Sequence, residues 1–274
     1  MAAHSDTIVL VHGLWMTPLS WEHWVEHYEA EGFTVLTPGY PGIAPGVEGV
    51  AALRDDPSVL SHVGIPEIVD HLTQVITSLD TRPIIIGHSF GGLFAQLLVG
   101  HGLGSAGVSL DGAGAKGVKA TPLSELRSSF PVLKNPANRH RGVELTPDEF
   151  HYAFTNTLTE EESQTVYDRY AVAAPGLVVF QGGLANLTPH AATTYDFSND
   201  DRAPFLFVSG GSDHILPPAV QREGFEKSTR HSSAVTGYKV FPGRDHYTCG
   251  EQGWESVADF ALQWALDPRP GELA

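Results

Sequence analysis

The sequence predicts an α/β protein: a mostly parallel sheet of about six strands flanked by helices, with a helical segment inserted into it. Three observations predict this. Short apolar runs such as Ile84-Ile85-Ile86 lack the polar alternation of a half-exposed strand, so they read as strands buried on both faces. These runs alternate with segments whose apolar residues recur at helical spacing. Between about Ala115 and Asp201 the alternation stops and helix-start signals take over.

The elements follow in order. TIVLVHG (7–13) is a buried strand. LSWEHWVEHYEAEG (19–32) is a helix with Ser20 as its cap and Gly32 as its stop. FTVLTPGY (33–40) is the next strand. A Pro- and Gly-rich connection follows, with a short helix near Val47 to Leu53. IPEIVDHLTQVITSLD (65–80) is an amphipathic helix, because Ile65, Ile68, Val69, Leu72, Val75, Ile76 and Leu79 share one face. The isoleucine strand comes next. Leu93, Phe94, Leu97 and Leu98 then repeat at helical spacing. AGVSLDG (106–112), APFLFVSGG (203–211) and YKVFPG (238–243) complete the expected sheet, and WESVADFALQWAL (254–266) is the closing helix. DPRPGELA reads as a frayed tail.

The interval from Ala115 to Asp201 carries three start signals: Thr121-Pro122, Thr146-Pro147 and Thr159-Glu160. Acidic residues after them complement the helix dipoles. GLVVF (176–180) is the one strand-like run, expected to be short or outside the main sheet. The expected organisation is a core of 1–114 and 202–274, with 115–201 a helical cap over the carboxyl edge of the sheet.

Bulk properties narrow the function. The 274 residues are 42% hydrophobic and 18% charged, and suffice for one large core. The net charge is −16, from 32 acidic against 16 basic residues, which repels phosphate backbones and argues against nucleic acid. The single cysteine, Cys249, forbids an internal disulfide and fits a reducing compartment. The N-terminus has neither a basic region nor a long apolar one, and no run reaches the length of a membrane span. A cytoplasmic protein with no membrane association, acting on a small molecule, is expected.

The chemistry starts at Gly87-His88-Ser89-Phe90-Gly91. This Gly-x-Ser-x-Gly pattern lies where a buried strand meets a helix, so Ser89 sits on a sharp turn whose neighbours must lack side chains. A serine hydroxyl needs a base. Among 14 histidines, position decides: ligands of an open parallel sheet bind beyond the carboxyl ends of its strands. His246 follows the last strand, and Asp213 follows FLFVSGG. The order Ser89, Asp213, His246 then describes nucleophile, acid and base. Asp111 also follows a strand and is the rival acid. Asp245 adjoins His246, but sequence neighbours on a loop rarely share a hydrogen-bonding direction. His12 is expected to order the first turn, and His88 to point away from the catalytic face. His23 and His27 lie at i, i+4 without a metal-binding motif and read as a solvated helix face. For an oxyanion hole, the N–H of Phe90 and that of Leu14 are the candidates, with Trp15 in reserve.

These pieces resemble the α/β-hydrolase superfamily: His12-Gly13 after the first strand, the Gly87 to Gly92 elbow, Asp213 and His246. The resemblance spans nearly the whole chain. It implies a serine hydrolase with a helical cap and without metal or organic cofactor. Serine replaces the aspartate nucleophile of epoxide hydrolases and haloalkane dehalogenases, which argues against both activities. The expected reaction is hydrolysis of a small, largely apolar, uncharged carboxylic ester or lactone. Amide, thioester or C–C cleavage and perhydrolysis use the same triad. A ligand receptor on this fold is the non-enzymatic alternative. Trp15, Phe130, Phe150 and Phe154 are candidates for an apolar pocket wall, and no Arg or Lys cluster suggests an anionic substrate.

Overall fold

A computed structural model describes residues 5–120 and 122–274. The chain runs β1 (Thr7–Val11), α1 (Glu22–Ala30), β2 (Thr34–Leu36), α2 (Gly46–Asp55), α3 (Ile65–Thr77), β3 (Ile84–His88), α4 (Phe90–Gly100) and β4 (Ala106–Leu110). An excursion follows: α5 (Leu123–Leu133), β5 (Gly142–Val143), α6 (Pro147–Phe154), α7 (Glu160–Tyr170), β6 (Ala174–Pro175) and α8 (Gly176–Gly183). The chain then returns to the sheet as β7 (Phe205–Gly210), α9 (Pro218–His231), β8 (Thr236–Phe241), α10 (Trp254–Leu266) and β9 (Gly271–Glu272).

The main sheet has the order β2-β1-β3-β4-β7-β8-β9, and every pairing in it is parallel. Its register aligns Leu10 with Ile86, Ile86 with Val108 and Val108 with Leu206. All four are fully buried, because helices cover both faces of the central strands. That is why these strands read as unbroken apolar runs.

Seven strands stand where six were expected. The tail read as frayed forms β9: Gly271 and Glu272 pair with Gly237 and Tyr238, and Leu273 N–H donates to Tyr238 O at 2.9 Å. The Trp264 indole holds the approach by donating to Arg269 O at 2.9 Å. The pairing covers ladder groups that β8 would otherwise leave open. The GLVVF run is not a strand but part of α8. Pro175 sets the N-cap and Gly182-Gly183 close the helix. A short apolar run carries no period that separates helix from strand. Thr17, not Ser20, caps the first turn of the region preceding α1. Ser20 instead donates its hydroxyl to Thr17 O at 2.9 Å. Thr146 and Thr159 form capping boxes with Glu149 and Glu162 as their spacing suggests. Thr121 lies outside the described residues, and Pro122 occupies the N-cap position of α5.

The excursion lies across the carboxyl ends of the strands. Val172 N–H donates to Trp15 O beyond β1, and Tyr247 N–H beyond β8 donates to Phe154 O. Asn156 reaches Ser212 O beyond β7 at 3.0 Å. Such hydrogen bonds fasten the helical segment to three strand-end loops.

Candidate active site

Ser89 stands between β3 and α4 with φ 59° and ψ −125°. A non-glycine residue holds such dihedrals only where its surroundings enforce them. Among the described residues, three non-glycine positions have positive φ: Trp15, Ser89 and Asp111. Each lies just past the carboxyl end of one of three adjacent strands, β1, β3 and β4, so the backbone strain gathers along one rim. Space is equally restricted. A Cβ on Gly91 would collide with the carbonyl of Val11, and one on Gly13 would lie 2.7 Å from Ser89 Cβ. Ser89 N–H donates to Leu110 O at 2.9 Å, which ties the turn to β4.

Asp213 and His246 come together from the loops after β7 and β8. His246 Nδ1 lies 2.7 Å from Asp213 Oδ2, and both side chains are fully buried. Asp213 Oδ1 accepts the N–H groups of Ile215 at 2.7 Å and Leu216 at 2.9 Å. Three donors therefore converge on this carboxylate and fix the imidazole tautomer with its proton on Nδ1. Burial raises the Asp213 pKa, and the two N–H groups oppose that rise. Burial lowers the His246 pKa, which keeps the resting ring neutral. Its Nε2 has no hydrogen-bond partner among the described residues, which leaves its lone pair open to a proton. Phe154 meets the ring edge-on at a centroid distance of 4.9 Å.

Asp111 and Asp245 have other bonds. Asp111 is fully buried and accepts Gly210 N–H. Burial and then the nearby Asp213 push its pKa well up. Asp245 accepts Thr157 Oγ1–H at 2.7 Å and Tyr247 N–H at 3.0 Å, which pins the excursion to the loop after β8. His88 departs from expectation. Its ring lies 4.7 Å from that of His246, and its Nε2–H donates to His246 O at 2.7 Å. It supports the backbone of the loop carrying His246 instead of pointing away. His12 is buried against Tyr40 and donates to Gly13 O at 2.8 Å; burial holds its pKa down at about 4.

Phe90 opens α4, so its N–H has no acceptor within the helix. Leu14 follows Gly13 on the adjacent strand-end loop and is buried. Trp15 uses its carbonyl to accept Val172 N–H and its indole to donate to Val143 O at 3.0 Å.

Ser89, Phe90 and Trp15 line a cavity of about 140 Å³. This is below the several hundred cubic ångströms common for small-molecule sites. Val118, Val179, Leu145, Ile215 and Val220 make its apolar walls. Of the expected wall residues, Trp15 is present. Phe130 is 62% exposed and does not line the cavity. Phe154 is fully buried against His246 and Trp15, and the fully buried Phe150 stacks on it at 4.6 Å; neither lines this cavity, and Phe150 lines a neighbouring one with Trp15 and Leu145. Their one-turn spacing gave the correct shared face, which packs beside the Ser89 cavity. Sequence reasoning missed Glu125, Ser128 and Ser129, which line the cavity from α5. A glutamate in the first turn of a helix reads as a dipole complement, so nothing in the sequence set it apart. Among the described residues, no group of three side chains could hold a metal ion. Among the same residues, no helix is long and apolar enough to cross a membrane.

The profile described as the alpha/beta hydrolase family matches residues 8–260. A comparison with curated proteins finds no match. Among solved structures, the chain is similar to a pyrethroid hydrolase from Sphingobium faniae, with a TM-score of 0.65, 18% identity and coverage of 97% and 99% of the two chains. It is similar to an extracellular α/β-hydrolase from a Paenibacillus species, with a TM-score of 0.63, 20% identity and coverage of 94% and 98%. A monoacylglycerol lipase from Paleococcus ferrophilus gives a TM-score of 0.62 at 20% identity, over 95% and 93%.

Proposed function

This chain belongs to the alpha/beta hydrolase family, and on that premise we propose that it hydrolyses small carboxylic esters through an acyl-enzyme formed on Ser89. The observation that carries the proposal is the buried hydrogen bond of 2.7 Å between His246 and Asp213. These two residues come from separate strand ends, and Ser89 lines the adjoining cavity. Hydrolases and a lipase on the same fold agree with this chemistry without fixing the substrate.

In the proposed mechanism, His246 Nε2 takes the Ser89 proton as the hydroxyl oxygen attacks the ester carbonyl. The N–H groups of Phe90 and Leu14 stabilise the oxyanion. His246 then protonates the leaving alcohol. A water, deprotonated by His246, releases the acid and restores Ser89. Asp213 holds the ring in its tautomer and stabilises the imidazolium. Residues 115–201 act as a cap that keeps bulk water from the acyl-enzyme.

A fluorophosphonate probe tests the nucleophile. Wild-type protein labels at Ser89. Ser89→Ala abolishes labelling and lowers kcat on short nitrophenyl esters by about a thousandfold or more, with an unchanged melting curve. Near-normal turnover by that variant would end the proposal.

A further inference from the structure

Helix α5 brings polar side chains to an otherwise largely apolar cavity. Leu123, Leu126 and Phe130, spaced three and four apart, are 84%, 51% and 62% exposed. Glu125, Ser128 and Ser129, also at helical spacing, line the cavity that holds Ser89. A helix that served only to seal an apolar pocket would place apolar residues alone against it. Here Leu126 and Leu133 reach the cavity together with Glu125, Ser128 and Ser129, so the inward face of α5 is mixed and carries a carboxylate.

Glu125 is the one ionisable side chain among the described residues lining that cavity. Its Oε2 is buried and has no hydrogen-bond partner among the described residues. A glutamate at the third helical position often reaches back to the N–H of the cap residue. The cap of α5 is Pro122, which has no N–H to offer. The carboxyl therefore has no local structural task, and its desolvation is uncompensated. Burial and then Asp213 raise its pKa, to about 7. A cation beside it would relieve both costs. The chain as a whole, at −16, attracts cations to its surface.

We infer that Glu125 is a specificity-determining residue, which receives a protonated amine on the substrate while Ser89 receives the ester carbonyl. The inference rests on the ester-hydrolase reading and names its substrate class: short esters bearing a basic nitrogen a few bonds from the carbonyl. Ser128 and Ser129 flank the carboxylate as further hydrogen-bonding groups, and the opposite apolar wall takes the hydrocarbon part. This departs from the uncharged substrate that the apolar wall candidates in the sequence suggest.

A near-isosteric pair separates charge from shape: ethyl 4-(dimethylamino)butanoate and ethyl 5-methylhexanoate. Binding is measured by calorimetry at pH 7.5 to the Ser89→Ala protein, which needs no turnover. The expected result is at least about tenfold tighter binding of the amine ester, a charge-assisted hydrogen bond being the stronger kind. Adding Glu125→Gln should bring the ratio close to one. Glu125→Asp, which keeps the charge one methylene short, should retain part of it and covers the case in which the glutamine variant does not fold. Equal binding of the two esters, tighter binding of the neutral ester, an unchanged ratio in the variants, or no binding of either would overturn the assignment. Turnover by wild type is read separately. Cleavage of neither ester, with the binding preference intact, sinks the ester-hydrolase reading alone. Cleavage of both without preference sinks the role of Glu125 alone.

Discussion

Two carboxylates follow adjacent strands and only one of them meets a histidine. Asp213 spends one oxygen on His246 and the other on two backbone N–H groups. Asp111 uses one on Gly210 N–H, and its other oxygen has no partner among the described residues. Asp213→Asn should therefore cost about three to four orders of magnitude in kcat, the scale of losing the tautomer-fixing carboxylate. Asp111→Asn should cost far less. Steady-state kinetics on one nitrophenyl ester checks the ranking, and its reversal would move the acid to the end of β4. These positions were legible in the sequence because strand ends are marked by apolar runs that stop at glycine. The roles of Phe130, Phe150 and Phe154 were not. A helical stripe says which residues share a face, whereas only the packed structure says whether that face meets a cavity, a core or water. Glu125 was hidden for the same reason.

The turn from β3 into α4 works as a unit because three segments approach closer than side chains allow. Gly91 lies against the carbonyl of Val11, and Gly13 against Ser89 Cβ. Gly91→Ala would push α4 away from β1 and displace Phe90 N–H along with it. The expected effect is destabilisation of about 3 kcal/mol or more from overpacking, seen as a lower denaturation midpoint, with kcat falling further than KM changes. An alanine variant with wild-type midpoint and turnover would show that the approach is looser than the geometry requires. Most elements announced themselves by period and punctuation. α8 did not, since five apolar residues fit either geometry. β9 did not because its two residues carry no pattern, and its pairing is decided by the open ladder of β8.

Taken whole, the site is a small cavity under a helical segment bound to three loops. A cavity of about 140 Å³ holds a short acyl group and leaves no room for a long one. A nitrophenyl ester series should peak at short chains, fall for long ones and show no rise when substrate forms an interface. Preference for long-chain emulsions would mean that α5 swings outward and that its exposed leucines face lipid. The sheet order has a further consequence. Strands β1 to β4, all from residues before the excursion, form one continuous half of the sheet, and β7 to β9 form the other. Their seam is the β4–β7 ladder. The proposed nucleophile belongs to the first half, and its acid and base to the second. A chain severed within the excursion would leave each fragment chemically mute. Ester turnover would then count only rejoined molecules, which suits this architecture to a split reporter whose signal is the seam itself.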